Sequence, residues 1–126
     1  METVKHCGSC GRRIEWRRRW AAVWDEVRYC SDACRRNKPR GKDHELEQRI
    51  LGLLDALARD ATICPSEAAR ALFPETWRDH MEDARRAARR LAAAGRIVIT
   101  QQGAVVDSST AKGPIRLRKT HPRGTP

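Results

Sequence analysis

The chain has 126 residues, enough for one ordinary domain or for a small domain beside a stapled mini-domain. Its formal net charge of +10 gathers at the ends: residues 1 to 42 hold 12 basic and 5 acidic side chains, residues 43 to 108 hold 9 and 11, and residues 109 to 126 hold 5 and none. No run of about 18 uncharged apolar residues exists to cross a membrane, and METVKHCGSC has no apolar segment for a secretory signal, so a cytoplasmic chain with reduced thiols is expected.

The first element is a cysteine constellation: Cys7 and Cys10 with two residues between them, nineteen residues, then Cys30 and Cys34 with three between them. Two residues between cysteines let a tight turn aim both sulfurs at one point, and Gly8 and Gly11 give that turn backbone freedom. Ser31 is placed to cap a helix beginning at Asp32, with Cys30 just before it and Cys34 in its first turn. Four soft thiolates converging at about 2.3 Å describe a tetrahedral site for one structural zinc ion. An iron–sulfur cluster uses the same ligands, and ligand type alone does not exclude it. Disulfides suit a secreted chain, and a redox Cys-x-x-Cys belongs in a βαβ unit that is not visible here.

Between the cysteine pairs, Trp16, Trp20, Val23, Trp24 and Val27 fall on one side of an expected helix, with Arg17, Arg18 and Arg19 pointing elsewhere. The tryptophans serve either as the small core that a zinc module needs or as a stacking platform for bases. RRNKPRGK at 35 to 42 reads as a boundary. From Asp43, an N-cap by type, Leu46, Ile50, Leu53, Leu54 and Leu57 recur on one helical face. ATIC at 61 to 64 is a short strand, and PSEAARAL is a helix capped by Ser66 and ended at Phe73 by Pro74.

The longest helix is expected from Trp77 to Ala94, with Thr76 and Asp79 at capping-box spacing and Gly95 as its stop. Its apolar face is Trp77, Met81, Ala84, Ala88 and Leu91. RIVIT and AVVD, joined at Gln101 to Gly103, form a hairpin, and GPIRLR at 113 to 118 adds an extended segment. Helix, strand, helix, helix, hairpin is the order of a winged helix-turn-helix. The chain therefore reads as a zinc module over 1–40, an α+β winged helix-turn-helix domain over 43–118 and a disordered basic tail over 119–126.

CxxC…YCSxxC resembles treble-clef zinc knuckles of the FCS/MYM, TRASH and YacG types. CGRRIEWRRRWAAVWDEVRYCSDACRR resembles more specifically a small bacterial domain family of unknown function. TICPSEAARAL…WR…ARRLAAAGRIVIT…GPIRLR resembles a second such family. The resemblance implies zinc at Cys7, Cys10, Cys30 and Cys34 and a winged-helix-like second domain, with no established activity. Among treble clefs, YacG-like knuckles bind a protein and others bind nucleic acid.

The function expected is binding without catalysis or a small-molecule substrate. The partner is nucleic acid, DNA more readily than RNA, or a protein of a nucleic-acid machine for which the chain would be an adaptor. Arg17, Arg18, Arg19, Arg35 and Arg36, with Lys112, Arg116, Arg118 and Lys119, are placed on phosphates, and Arg78, Arg85 and Arg89 on a groove. The bland reading of the long helix is a solvated face laced by ion pairs to Glu82. Cys64 reads as a buried structural thiol.

Overall fold

A computed structural model describes residues 3–120 as a small α+β molecule with two apolar clusters. Residues 121–126, most of the expected tail, lie outside the described residues; Lys119, assigned to that tail, instead completes a strand. No helix among the described residues is long and apolar enough to cross a membrane.

The N-terminal unit starts with two antiparallel strands, β1 (Val4–His6) and β2 (Arg13–Glu15), whose connection carries the first cysteine pair. The helix expected across the tryptophans does not form. Residues 18 to 26 instead hold two 3-10 turns, Arg18–Trp20 and Trp24–Glu26, closed by short-range bonds such as Ala21 N to Arg18 O (3.0 Å) and Val27 N to Trp24 O (3.1 Å). Trp24 is the buried member of the former stripe, and Trp20 stacks on it at 6.2 Å between ring centroids. Trp16 and Val23 stay exposed. Helix α1 (Asp32–Arg36) follows, and Ser31 Oγ accepts from Cys34 N at 3.1 Å, the expected cap.

The C-terminal unit contains α2 (Gly41–Asp55), β3 (Thr62–Ile63), α3 (Pro65–Leu72), α4 (Met81–Ala93), β4 (Ile97–Gln101), β5 (Ala104–Val105) and β6 (Arg116–Lys119). Its antiparallel sheet has the order β3-β6-β4-β5, with Ile63 and Ile99 both opposite Leu117. Helices α2 and α4 pack on this sheet, and α3 packs against both of them. Leu46, Ile50 and Leu54 of α2 meet Ala68 and Ala69 of α3, Ala84, Ala87, Ala88 and Leu91 of α4, and Ile97, Ile99 and Leu117 of the sheet. The alanines matter because a helix lined by them approaches its neighbours closely.

Several helix starts differ from expectation, each for a hydrogen-bonding reason. Helix α2 begins two residues before Asp43, which sits in the first turn and accepts from Arg40 N at 2.8 Å. Helix α3 begins at Pro65 with Cys64, not Ser66, at its cap, and Glu67 reaches back to Cys64 N at 2.8 Å. Trp77–His80 is a separate 3-10 turn, and Thr76 makes no side-chain cap there, so the α-helical part starts at Met81. The stop at Gly95 holds: its φ is 76°, and Arg96 N bonds to Leu91 O at 2.9 Å.

The two units are packed together. Gly11, at φ 78°, lies so close to α4 that a Cβ built on it would stand 2.4 Å from the Arg89 carbonyl carbon. On a second flank, Arg13 donates from its backbone to Ser109 Oγ and from Nη1 to Asp107 Oδ2, both at 2.8 Å. Gly11→Ala should therefore combine left-handed strain of about 1–2 kcal/mol with a clash of roughly 1–3 kcal/mol. Gly103→Ala, also left-handed but with open space around it, should show the strain alone; denaturant unfolding of the two variants measures the difference.

Candidate metal centre and basic surface

The sulfur atoms of Cys7, Cys10, Cys30 and Cys34 all lie within 4.8 Å of one another. The turn after β1 brings in the first pair, held by Gly11 N to Cys7 O (3.0 Å), with Cys10 N directed at Cys7 Sγ at 3.4 Å. The start of α1 brings in the second. Cys10 Sγ to Cys30 Sγ and Cys30 Sγ to Cys34 Sγ are each 3.6 Å. A tetrahedral ion at about 2.3 Å from each sulfur requires separations of roughly 3.8 Å, so the set fits a zinc knuckle and could hold a metal ion.

The four thiols are held unequally, two lowered and two raised. Cys7 is drawn down to about 4, first by the hydrogen bond from the Cys10 side chain, and the same bond pushes Cys10 up. Burial pushes Cys30 up. Burial works the same way on Cys34, yet hydrogen bonds from Ser31, Cys30 and Arg86 outweigh it and leave that thiol lowered. The Arg86 guanidinium, 3.8 Å from Cys34 Sγ, also donates to Ser9 Oγ. Cys7, Cys10 and Cys34 are buried, whereas Cys30 is exposed.

Helix α4 supplies the rest of this frame. Arg89 Nε donates to Cys10 O at 2.7 Å and its Nη2 to Glu82 at 2.8 Å; the residue is 6% exposed. Arg90 donates to Ser9 O at 2.7 Å and to Glu47 at 2.7 Å. Arg89, expected on a groove, is thus withdrawn from solvent because it satisfies a buried backbone carbonyl of the cysteine turn. Arg85 reaches Gly113 O at 3.2 Å, and Arg78 lies over the Trp77 ring at 4.5 Å.

The structure does not gather the remaining expected cations into one patch. Arg17 and Arg19 lie against Trp20, at 5.6 and 5.0 Å from the ring centre, while Arg18 and Arg36 are exposed. Arg35 pairs with Asp32 at 2.8 Å in an exposed bridge. On β6, Arg116 is bonded to Thr62 and Lys119 to Asp55 at 3.4 Å; Arg118 Nε is buried without a partner, and Lys112 stands exposed in the preceding loop. Cys64 is half-buried. His80 has an acid neighbour that its sequence surroundings do not specify, Asp83 at 3.0 Å, and stacks on Phe73.

Sequence reasoning missed the docking role of Ser9, Arg86 and Arg90. The available signal was the pairing Arg85-Arg86 and Arg89-Arg90, four residues apart on an alanine-rich helix, beside the small residues Gly8, Ser9 and Gly11. A family model described as protein of unknown function (DUF3253) matches residues 43–120, and one described as uncharacterized protein conserved in bacteria (DUF2256) matches residues 2–37. No curated protein matches the chain.

Stripping bound metal with a chelator, or Cys30→Ser, should release Trp24 from its burial and shift tryptophan emission to the red. Helical circular dichroism should be largely kept, because α2, α3 and α4 have their own core. The second unfolding transition should fall by about 1–3 kcal/mol as the arginine bonds to Ser9 and Cys10 are lost.

Proposed function

The chain belongs to the DUF3253 family, with a DUF2256 match ahead of it, and from this premise we propose that it is a non-catalytic, zinc-containing nucleic-acid-binding protein. Cys7, Cys10, Cys30 and Cys34 would hold one zinc ion in a closed shell, which supplies folding energy and leaves no open position for a reacting water. The order α2, β3, α3, α4, β4, β5, β6, with β6 between β3 and β4, supports reading the second unit as a winged helix.

The observation that carries the reading is the run Arg17, Arg18 and Arg19, all exposed on the unit that holds the cysteine cluster, with Arg35 and Arg36 exposed on its helix. Exposed guanidinium groups in such a run suit phosphate oxygens. Exposed Lys112 would extend the contact, with DNA preferred to RNA as the partner. A second reading, an adaptor docked on a protein of a nucleic-acid machine, is favoured by Trp16 and Val23, which are 37% and 44% exposed. A pull-down that survives nuclease and high salt would select it.

Gel-shift binding of zinc-loaded protein over a salt series tests the leading reading. Neutralising some six phosphates gives a log-log slope of about −5, and the triple variant Arg17→Ala, Arg18→Ala, Arg19→Ala should flatten it to about −3. A flat response in the parent protein, or no binding to duplex, single-stranded DNA or RNA at low salt, would rule the reading out.

A further inference from the structure

Two findings, taken together, restrict where a nucleic acid can sit. The arginines of α4 nearest the N-terminal unit already have partners: Arg86 on Ser9 and Cys34, Arg89 on Cys10 O and Glu82, Arg90 on Ser9 O and Glu47. A duplex groove could reach them only by displacing the cysteine turn, which packs on α4 through Gly11. Groove reading by these three arginines is therefore closed while the units are docked.

The N-terminal unit offers an alternative. Between the second 3-10 turn and α1 lies an open cleft of about 480 Å³, within the range of small-ligand sites. Trp20, Val23, Val27 and Tyr29 supply its apolar surface, and Arg19, Arg28 and Arg35 its cations. Trp20 is backed by Trp24 at an interplanar angle of 14°, and Arg19 lies over its ring at 5.0 Å, so an entering base would take the place of that guanidinium and leave it for the adjoining phosphate. Arg28 is fixed by the carbonyls of Asp25 and Val27. The Arg35–Asp32 bridge, 64% and 73% exposed, is of a kind that contributes little, and Asp32 is itself part of the cleft wall. Glu26 also lines the cleft. A carboxylate there repels a bare polyanion but accepts a hydrogen bond from a base bearing an exocyclic amino group, as in the pairing of Glu with cytosine N4.

We propose that this cleft is a base-binding site for single-stranded nucleic acid, taking one amino-bearing base against Trp20 and Tyr29 and its flanking phosphates on Arg19, Arg28 and Arg35. The proposal rests on the nucleic-acid reading above and names the form of ligand and the surface. Aromatic stacking beside arginine is the usual means of holding unpaired bases, and paired bases inside a duplex present no free face to the cleft. Exposed Cys30 lines the same cleft. An occupant would therefore shield the one solvent-facing thiolate of the cluster, which provides a second readout.

The test uses the full zinc-loaded chain with single-stranded dC and dT hexamers and a duplex of equal length at low salt. Binding is followed by tryptophan quenching and by the rate at which a thiol reagent releases zinc. The dC hexamer should bind at least about tenfold more tightly than the duplex and should slow zinc release. The double variant Arg19→Ala, Arg35→Ala should lose about tenfold in affinity with zinc content and melting temperature unchanged, whereas Arg85→Ala should bind like the parent. Glu26→Gln should erase the preference for dC over dT while keeping the salt slope. Duplex preferred over single strand, or full affinity in the double variant, overturns this proposal alone. Absence of binding to every nucleic acid overturns it together with the reading on which it rests.

Discussion

Four sulfur atoms within 4.8 Å of one another can all ionise only with a cation among them, and the N-terminal unit is organised around that requirement. Among the described residues, its buried apolar side chains beyond the cysteines are Ile14 and Trp24, too small a core to order some 30 residues. A metal ion held by the four cysteines would therefore fix the cysteine turn, and the turn sets the orientation of the Ser9 and Cys10 carbonyls. Those carbonyls in turn receive the guanidinium groups of α4. The relation of the two units follows from ligand geometry over a distance of nearly eighty residues in sequence.

The parts of this architecture that were legible in the sequence are those governed by local spacing. Two cysteine pairs, the Ser31 cap, the Leu46, Ile50 and Leu54 stripe and the Gly95 stop each depend on residues within one or two turns. The tryptophan stripe had equally good helical spacing yet does not form a helix. Spacing records which side chains can share a face, whereas the backbone here is held at both ends, by β2 pairing with β1 and by the second cysteine pair, and tighter turns satisfy it. Helix starts were misplaced where a carboxylate in the first turn, Asp43 or Glu67, bonded back to an earlier amide.

The arginines of α4 were the least legible. A helical wheel places Arg85 and Arg89 on one flank, but it contains nothing about a second unit covering that flank. Arg89 shows the consequence: a residue whose charge suggests a partner outside the molecule has its partner inside it. Net charge overstates the surface available to a polyanion for the same reason. Arg13, Arg86, Arg89, Arg90, Arg116 and Lys119 are all engaged within the fold.

The contact between Arg89 and Cys10 also bears on how the chain is made. The two residues are 79 positions apart, and a ribosome adding 5–20 residues per second needs roughly 4–16 s to travel between them. For that interval the cysteine turn exists without the helix that will cover it. A metal ion could be captured as soon as Cys34 has emerged, so during synthesis such an ion, and not the docked helix, would hold the N-terminal unit. A chain that binds metal at these cysteines would thus acquire it before its tertiary structure, and the docking of helix α4 would come as the later event.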